Sequence, residues 1–362
     1  MHAAAVLAVL PEYRRSFVEA LQASFDRSGD KLTLVAGDVH SDPTVKSADF
    51  PRVVRVINRH ILGRRLLWQA GALHHTRGAD VVVIDLNPRS LTSWALLLSA
   101  KIRRQRVLAW GHISPRAGRN SSTAPVRRAM RRSVDGVISY TWNDARRVHE
   151  EDPREALWVA ANGLYPSREL RWTENPGRMR VLYVGRLESS KKPLLALDAF
   201  ALIVDELPQG ARLTFVGSGS LRADLEVQAA NREISDRVDF LGHISDLEEL
   251  RRLYSETLIS VSPGYVGLSL TQSLGFGVPM LVADDEPHAP EVELLTKSTG
   301  AYFEANSPES LADSLRLVFD GRLIWDPAAL LESVKTTYSA DAMADGFEKA
   351  LRGVPQDGDG GG

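Results

Sequence analysis

SPGYVGLSLTQSLGFGVP, residues 262–279, joins a glycine-bearing turn to a helix and decides how the rest of the chain is read. The apolar run LISVS before it (258–262) has the length and composition of a buried strand. Gly264 and Gly267 permit a tight turn close to a ligand. Ser269 is placed as the N-cap of the helix, so that the N–H groups of residues 267–270 point at an anion such as a diphosphate.

Outward from this turn, short apolar runs alternate with amphipathic segments in both halves of the chain, the pattern of parallel α/β units. Strands are expected at 3–10, 32–36, 53–57, 81–85, 107–110, 136–139 and 157–160, and again at 181–184, 212–216, 238–241, 258–261 and 280–283. Helices fill most of the intervals, and Pro193 suits the first turn of one of them. At 362 residues, 44% apolar and 25% charged, the chain exceeds one ordinary core and reads as two domains. The polar stretch SRELRWTENPGRM, with Pro176 and Gly177, sets the boundary near Asn175. The expected organisation is a first domain over 1–175, a second over 176–338, a C-terminal helix over 339–354 that packs back toward the first domain, and a disordered tail over 355–362.

The chain has no cysteine, which excludes disulfides, thiolate metal sites and Cys nucleophiles. MHAAAVLAVLP carries no basic leader and is too short to span a bilayer. No later stretch is long and apolar enough either, so a cytoplasmic location is expected. The near-zero net charge hides an asymmetry: residues 1–175 carry 27 Lys+Arg against 17 Asp+Glu, and the remainder 17 against 29. A basic first half suits an anionic membrane surface, a phosphorylated lipid or a nucleic acid. RVINRHILGRRLLWQAGALHH (55–75), read as a basic amphipathic helix, sets Arg59, Arg64 and Arg65 beside Ile61, Leu62, Leu66, Leu67 and Trp68; RRAMRRS (127–133) is similar. Each admits two readings, a solvated face over a core stripe or a face lying on a membrane. No reader motif and no aromatic-basic interleaving points to nucleic acid, which is not expected as a partner.

VGRLESSKKP (184–193) is a strand end, a Gly turn, then Arg186 and Lys191 ahead of a helix. Two fixed cations at a strand's carboxyl end can clamp a diphosphate without metal, or can simply lie on a solvated loop. VGSGSL (216–221), DFLGHI (239–244) and SPGYVGL (262–268) also end strands, so four loops converge at one edge of the sheet and favour the clamp. A nicotinamide-type fingerprint is not met, because PEYRR after the first strand lacks glycine and Arg222 stands where the third glycine after Gly217 and Gly219 belongs.

In this order the motifs resemble the C-terminal domain of retaining GT-B glycosyltransferases of family 4, with their GR(L/V)xxxK, GxG and FxG elements and a Gly-rich loop entering a helix. The resemblance implies an α/β fold of GT-B architecture, two Rossmann-like domains facing across a cleft. It implies transfer of a sugar from a nucleotide diphosphate sugar to a hydroxyl acceptor (a glycan, glycolipid or small molecule) with retention and without a metal or other cofactor. Arg186 and Lys191 are then expected on the donor's diphosphate, with Gly185 and Gly217 in the turns beside it. Gly242, His243 and Ile244 border the base, the backbone of Gly267, Leu268 and Ser269 meets phosphate, and Glu291 of HAPEVELLTKSTGAYF lies near the sugar or ribose. Aligned with EGFGLxxxExxxxGxP, Gly264 and Gln272 stand where the family has its two glutamates. Gln272 can still hydrogen-bond a ribose, or serve only an S-x-x-Q capping box with Ser269.

The first domain resembles the family's acceptor domain. LPEYRRSFVEAL (10–21) brings Tyr13, Arg14 and Arg15 to the cleft, and AWGHIS (109–114) sets His112 near the donor sugar or, on the plainer reading, against a loop carbonyl. SYTWNDARRV and AANGL, with Asn162 and Gly163, resemble the approach to the interdomain linker. A lipid-linked acceptor and a peripheral position at the inner membrane face are compatible with the basic first half. The missing acid at Gly264 leaves a second expectation, a GT-B-like binding or assembly subunit without catalysis.

Overall fold

The computed structural model describes residues 1–39, 48–63, 65–113 and 123–356. They form two units, Met1–Pro166 with Thr337–Gly362, and Ser167–Thr336. The chain changes unit ahead of Asn175, because Leu170 is buried against Gly275 and Trp172 packs on Gly277, so the polar stretch already belongs to the second unit. Arg64, Ser114 and residues 357–362 of the expected tail lie outside the described residues.

The first unit is built on β1 (His2–Leu7), β2 (Lys31–Gly37), β3 (Val53–Ile61), β4 (Leu66–Ala70), β5 (Val81–Asp85), β6 (Arg106–Gly111), β7 (Gly136–Ser139) and β8 (Leu157–Val159), in the order β4-β3-β2-β1-β5-β6-β7-β8. All pairs are parallel except β3 with β4. β1 sits near the centre, and alternation sends Ala3 and Ala5 to one apolar layer and Ala4 and Val6 to the other. Helix Arg15–Ser28 and the C-terminal helix Ala340–Arg352 cover the first layer, helix Leu91–Arg103 the second.

The strand expected at 53–57 is present, but it runs on to Ile61 and pairs antiparallel with β4, so that the segment is a hairpin and not the basic amphipathic helix that the Arg spacing suggests. The β-branched run VVRVI favours a strand, and positive φ at Leu62 and Gly63 reverses the chain.

The C-terminal helix is fixed by several side chains. Phe347 packs edge-on against Trp110 and Phe17, Arg106 donates to the carbonyls of Ala350 and Leu351, and Trp158 Nε1 donates to Val354 O. Gln356, expected in the disordered tail, instead pairs through both amide atoms with the backbone of Val159 (2.6 and 3.1 Å).

The second unit holds β9 (Arg180–Val184), β10 (Arg212–Val216), β11 (Val238–Gly242), β12 (Thr257–Ser262), β13 (Met280–Ala283) and β14 (Gly300–Phe303), all parallel, in the order β11-β10-β9-β12-β13-β14. β14 has no counterpart among the expected strands. Helices Pro193–Ala201 and Pro308–Phe319 pack Leu197, Phe200, Leu311 and Leu315 on one face of this sheet. The order turns back between β9 and β12, and ligands of open α/β sheets lie outside the strand ends at such a point.

Gly346 tests how closely the C-terminal helix approaches β8, because a Cβ there would lie 2.0 Å from Val159 O. Alanine ordinarily gains about 1 kcal/mol over glycine inside a helix. Here Gly346→Ala is expected to cost about 1–3 kcal/mol, as overpacking does. Scanning calorimetry checks this: a melting temperature equal to or above that of the parent chain refutes the contact.

Candidate functional site

In the second unit the loops that follow β9, β10, β11 and β12 are tied together by backbone. Gly185 N–H donates to Val216 O, Leu187 N–H to Ser218 O, Leu221 N–H to Leu187 O, and Gly217 N–H to Gly242 O. The glycines make this possible. A Cβ on Gly217 would lie 1.9 Å from Gly185 O, one on Gly219 2.3 Å from Leu187 O, and one on Gly264 2.7 Å from Ser190 O and the Lys191 carbonyl carbon. Glu188 adds a side-chain tie, accepting from Ser220 N–H and Oγ. The glycines of the GSG element therefore serve close packing of the chain on itself.

On this frame stand the two cations. Arg186 is exposed, and its guanidinium has no ion pair or hydrogen bond among the described residues. Lys191 is half-buried; its Nζ donates to Tyr265 O at 2.6 Å and lies 4.3 Å from the centre of the Tyr265 ring. Burial lowers its pKa to about 8, repulsion from Arg186 adds to the shift, and Glu291 opposes it. Glu291 is 4% exposed, in the 3-10 turn Pro290–Leu294 beside helix Leu268–Gly275.

The helix begins two residues earlier than its Ser suggests. Gly267 is the N-cap, with an extended φ of −153° and no side-chain cap, so Ser269 lies inside the first turn and is not the N-cap of a capping box. Gln272 is buried at 8% exposure, as is nearly all of this helix. The turn ahead of it is clamped from both sides: Tyr265 N–H donates to Ser190 O, and Ala289 N–H to Val266 O. His288 completes the clamp, its Nδ1 accepting from Val266 N–H (3.1 Å) and its Nε2–H donating to Ala283 O (2.8 Å). Burial holds its pKa below the usual imidazole value.

Thus Gly185, Arg186, Lys191, Gly217, Gly242, Gly267, Leu268 and Glu291 all belong to the carboxyl-end loops of one sheet or to the segment packed on them. His243 is exposed and Ile244 partly so, in the turn after β11. Tyr265 and His288 carry more of the site than their sequence context announces. The only written cue to His288 is its place after the acidic turn that follows β13.

In the first unit the strand ends gather a different set. Arg14 is buried, with its guanidinium 4.9 Å from the Trp110 ring centre and 5.2 Å from that of Tyr140, and Nη1 reaches Met343 Sδ. It is a packed cation, not one standing at an open edge. Arg15 pairs with Glu12 and lies over Phe50, while Tyr13 is 42% exposed. His112 follows β6, its ring 4.9 Å from Tyr140, and its carbonyl accepts from Arg127. Asp85, the last residue of the apolar strand VVVID, accepts from Ala8 N–H at 2.7 Å where the sheet order turns, and loss of water raises its pKa to about 7. Tyr140 is pushed up to about 12 by burial, with Arg14 opposing. Neither Asp85 nor Tyr140 was singled out from the sequence, although a carboxylate closing an apolar strand is a readable signal.

Residues 169–329 match the family model of glycosyl transferases group 1. Over 101 residues the chain is 33% identical to the GalNAc-alpha-(1->4)-GalNAc-alpha-(1->3)-diNAcBac-PP-undecaprenol alpha-1,4-N-acetyl-D-galactosaminyltransferase of Campylobacter jejuni, an alignment that covers 27% of this chain. The chain thus spans about a quarter (27%) of that curated relative's length. Among solved structures it is similar to the lipopolysaccharide outer core galactosyltransferase WaaB (12% identity, 98% of this chain and 99% of that one, TM-score 0.69). It is also similar to HepE of Anabaena solved with UDP (14%, 98% and 100%, 0.68) and to sucrose-phosphate synthase of Thermosynechococcus elongatus (17%, 98% and 99%, 0.63). At these identities the likeness is one of fold: two parallel-sheet α/β units of GT-B type.

The clamp by His288 works only with a neutral ring, because protonation would set Nδ1–H against Val266 N–H. The folded pKa is depressed, so this contribution is complete above the ordinary imidazole pKa of about 6.5 and is lost as pH falls from there through the folded pKa. Between pH 7 and pH 5 the parent chain should lose more stability than His288→Gln, whose amide offers one acceptor and one donor without titrating. Calorimetric melting at the two pH values measures this, and equal losses remove His288 from the clamp.

Proposed function

We propose that the chain is a glycosyltransferase of the family 4 type, moving a sugar from a nucleotide diphosphate sugar to a hydroxyl acceptor with retention of anomeric configuration. What carries this reading is Lys191 with Arg186 beside the start of helix Leu268–Gly275, at the turning point of the sheet in the segment that matches glycosyl transferases group 1. A lysine that has lost water without gaining a carboxylate hydrogen bond is poised for an anionic ligand. The bond from the sugar's anomeric carbon to the diphosphate breaks, the bond to the acceptor oxygen forms, and the acceptor's proton passes to an oxygen of the departing phosphate. Arg186, Lys191 and the N–H groups at Gly267 and Leu268 stabilise the charge that grows on the leaving diphosphate.

Glu291 and Gln272 orient donor hydroxyls, Gly242, His243 and Ile244 border the base, and His112 orients the sugar. No metal is required, since two cations and a helix terminus supply the positive charge. HepE is solved with UDP and the Campylobacter relative is named for a lipid-diphosphate-linked substrate, so UDP is the first nucleotide to test and a lipid-linked glycan the first acceptor. Gly264 keeps a second reading alive, that of a binding subunit without turnover, because the acid expected there is absent and the backbone of residues 190–191 fills the space a side chain needs.

Arg186→Ala combined with Lys191→Ala should lower transfer by at least about a thousandfold, as loss of preorganised charge does, with the melting temperature retained. Unchanged transfer removes the clamp, and absence of binding by UDP, GDP and ADP in calorimetry to the parent chain removes the nucleotide-sugar reading. Bound diphosphate should also return Lys191 toward the ordinary lysine value of about 10.4. At pH 8 roughly half of these groups are neutral beforehand, so binding takes up about half a proton. Calorimetry in two buffers of different ionisation enthalpy reads the uptake, and Lys191→Arg, which keeps its charge, should bind with almost none.

A further inference from the structure

Helix Leu91–Arg103 carries no charged residue over its first ten positions. A surface helix normally turns charge to solvent. This one buries Leu96, Leu97 and Ala100 in the first unit's core, yet its opposite stripe is Trp94, Leu98 and Ile102, at i, i+4 and i+8. Leu98 is 64% and Ile102 76% exposed. Trp94 is only partly buried, with Nε1 held by Pro88 O. Trp94 packs against the core, whereas Leu98 and Ile102 have no cover among the described residues of their own unit.

Its surroundings are cationic. Lys101, Arg103 and Arg104 are exposed at the end of the helix, and Gln105 ties that end to the Thr76 and Ala79 carbonyls, which brings exposed Arg77 beside it. None of these four cations has an ion pair among the described residues. Along the sequence, residues 50–134 hold 17 Lys+Arg against two acids. Asp80 accepts from His2 N–H and Asp85 from Ala8 N–H, so both are engaged within the fold.

We propose that the outer stripe of helix Leu91–Arg103 is a docking face for an anionic lipid bilayer, with Leu98 and Ile102 entering the headgroup region and Lys101, Arg103, Arg104 and Arg77 on lipid phosphates. Charge selects this occupant. A second copy docking through this same face would bring the same positive excess and be repelled, whereas a phosphate-bearing surface offers opposite charge and an apolar layer together. The face is distinct from the β3–β4 hairpin and uses no residue of the candidate transfer site, so it goes beyond the transfer reaction and stands or falls separately from it.

The full chain is tested by flotation with vesicles of phosphatidylcholine alone and of equal parts phosphatidylcholine and phosphatidylglycerol. Binding is expected to the second only, and to weaken as salt is raised. Leu98→Gln with Ile102→Gln, both at exposed positions, should lower that binding at least about tenfold, since apolar burial and charge act together at such faces. Lys101→Gln with Arg103→Gln and Arg104→Gln should remove the preference for phosphatidylglycerol, while Val227→Gln on the second unit leaves it intact. Failure of the parent chain to float with anionic vesicles overturns the proposal, as does parent-like binding by the Leu98/Ile102 pair. Sedimentation showing a dimer that the same pair dissolves would assign the face to a second copy instead.

Discussion

The second unit depends on how closely the backbone of residues 185–191 is packed between its neighbours. It lies against Gly217 and Gly219 on the β10 side and against Gly264 on the β12 side, at distances that leave no room for a Cβ. Because main chain meets main chain, the loop's position is fixed first by backbone hydrogen bonds from Gly185, Leu187, Leu221 and Tyr265, with the Glu188 and Tyr183 side chains adding ties. Arg186 and Lys191 are thereby presented on a rigid support, the condition for charges to act without reorganising when a ligand arrives. Lys192, with positive φ, ends the loop and anchors it through Glu286 and Asn306.

The same packing sets the electrostatics. Lys191 has given up water for one carbonyl and one ring face, while Glu291 acts on it at longer range. Its depressed pKa is the measure of a cation incompletely compensated by the protein. Arg14 in the first unit shows the contrasting solution. Four aromatic rings, of Tyr13, Phe17, Trp110 and Tyr140, surround its guanidinium, and it resolves as a component of the core. Two cations that look alike in sequence, each just after a strand, thus differ in what remains for a ligand. Trp110 of β6 and Tyr140 just after β7, far along the chain, make the difference.

Much of the scaffold was legible because strand and helix periods are local. The runs VVVID, RLTFV and LISVS announce buried parallel strands, and each is one. β14 escaped because GAYF is short and opens on a glycine needed for approach to Met280 O. The start of β3 was legible at 53–57, but its extension and the return strand β4 escaped because arginines at 55 and 59 fit both an i,i+4 helix and an alternating strand, and only the turn at Leu62 and Gly63 decides between them. Motif order drew attention to Arg186, Lys191 and Glu291, and the structure places them at one end of one sheet or on the segment packed there. What the glycines touch did not follow, since a glycine that admits a ligand and one that admits the chain's own backbone are written alike.

Gly264 is where that ambiguity matters most. Aligned with the pattern that the sequence resembles, glycine at 264 stands where a carboxylate is expected. In the structure, a side chain at 264 would have to displace the backbone carrying Lys191, so glycine and the Lys191 position come as one arrangement. Restoring an acid at 264 would therefore disturb the clamp before it could serve the sugar. A carboxylate is still held at this site by another route: Glu291, buried beside helix Leu268–Gly275 and within electrostatic reach of Lys191. Its place on the 3-10 turn that follows the His288 clamp makes its position depend on the same turn, 265–267, that presents the helix start. Under the proposed function, glycine at 264 together with Glu291 meets one requirement, that the diphosphate end of the site be rigid even where this reshapes the sugar end.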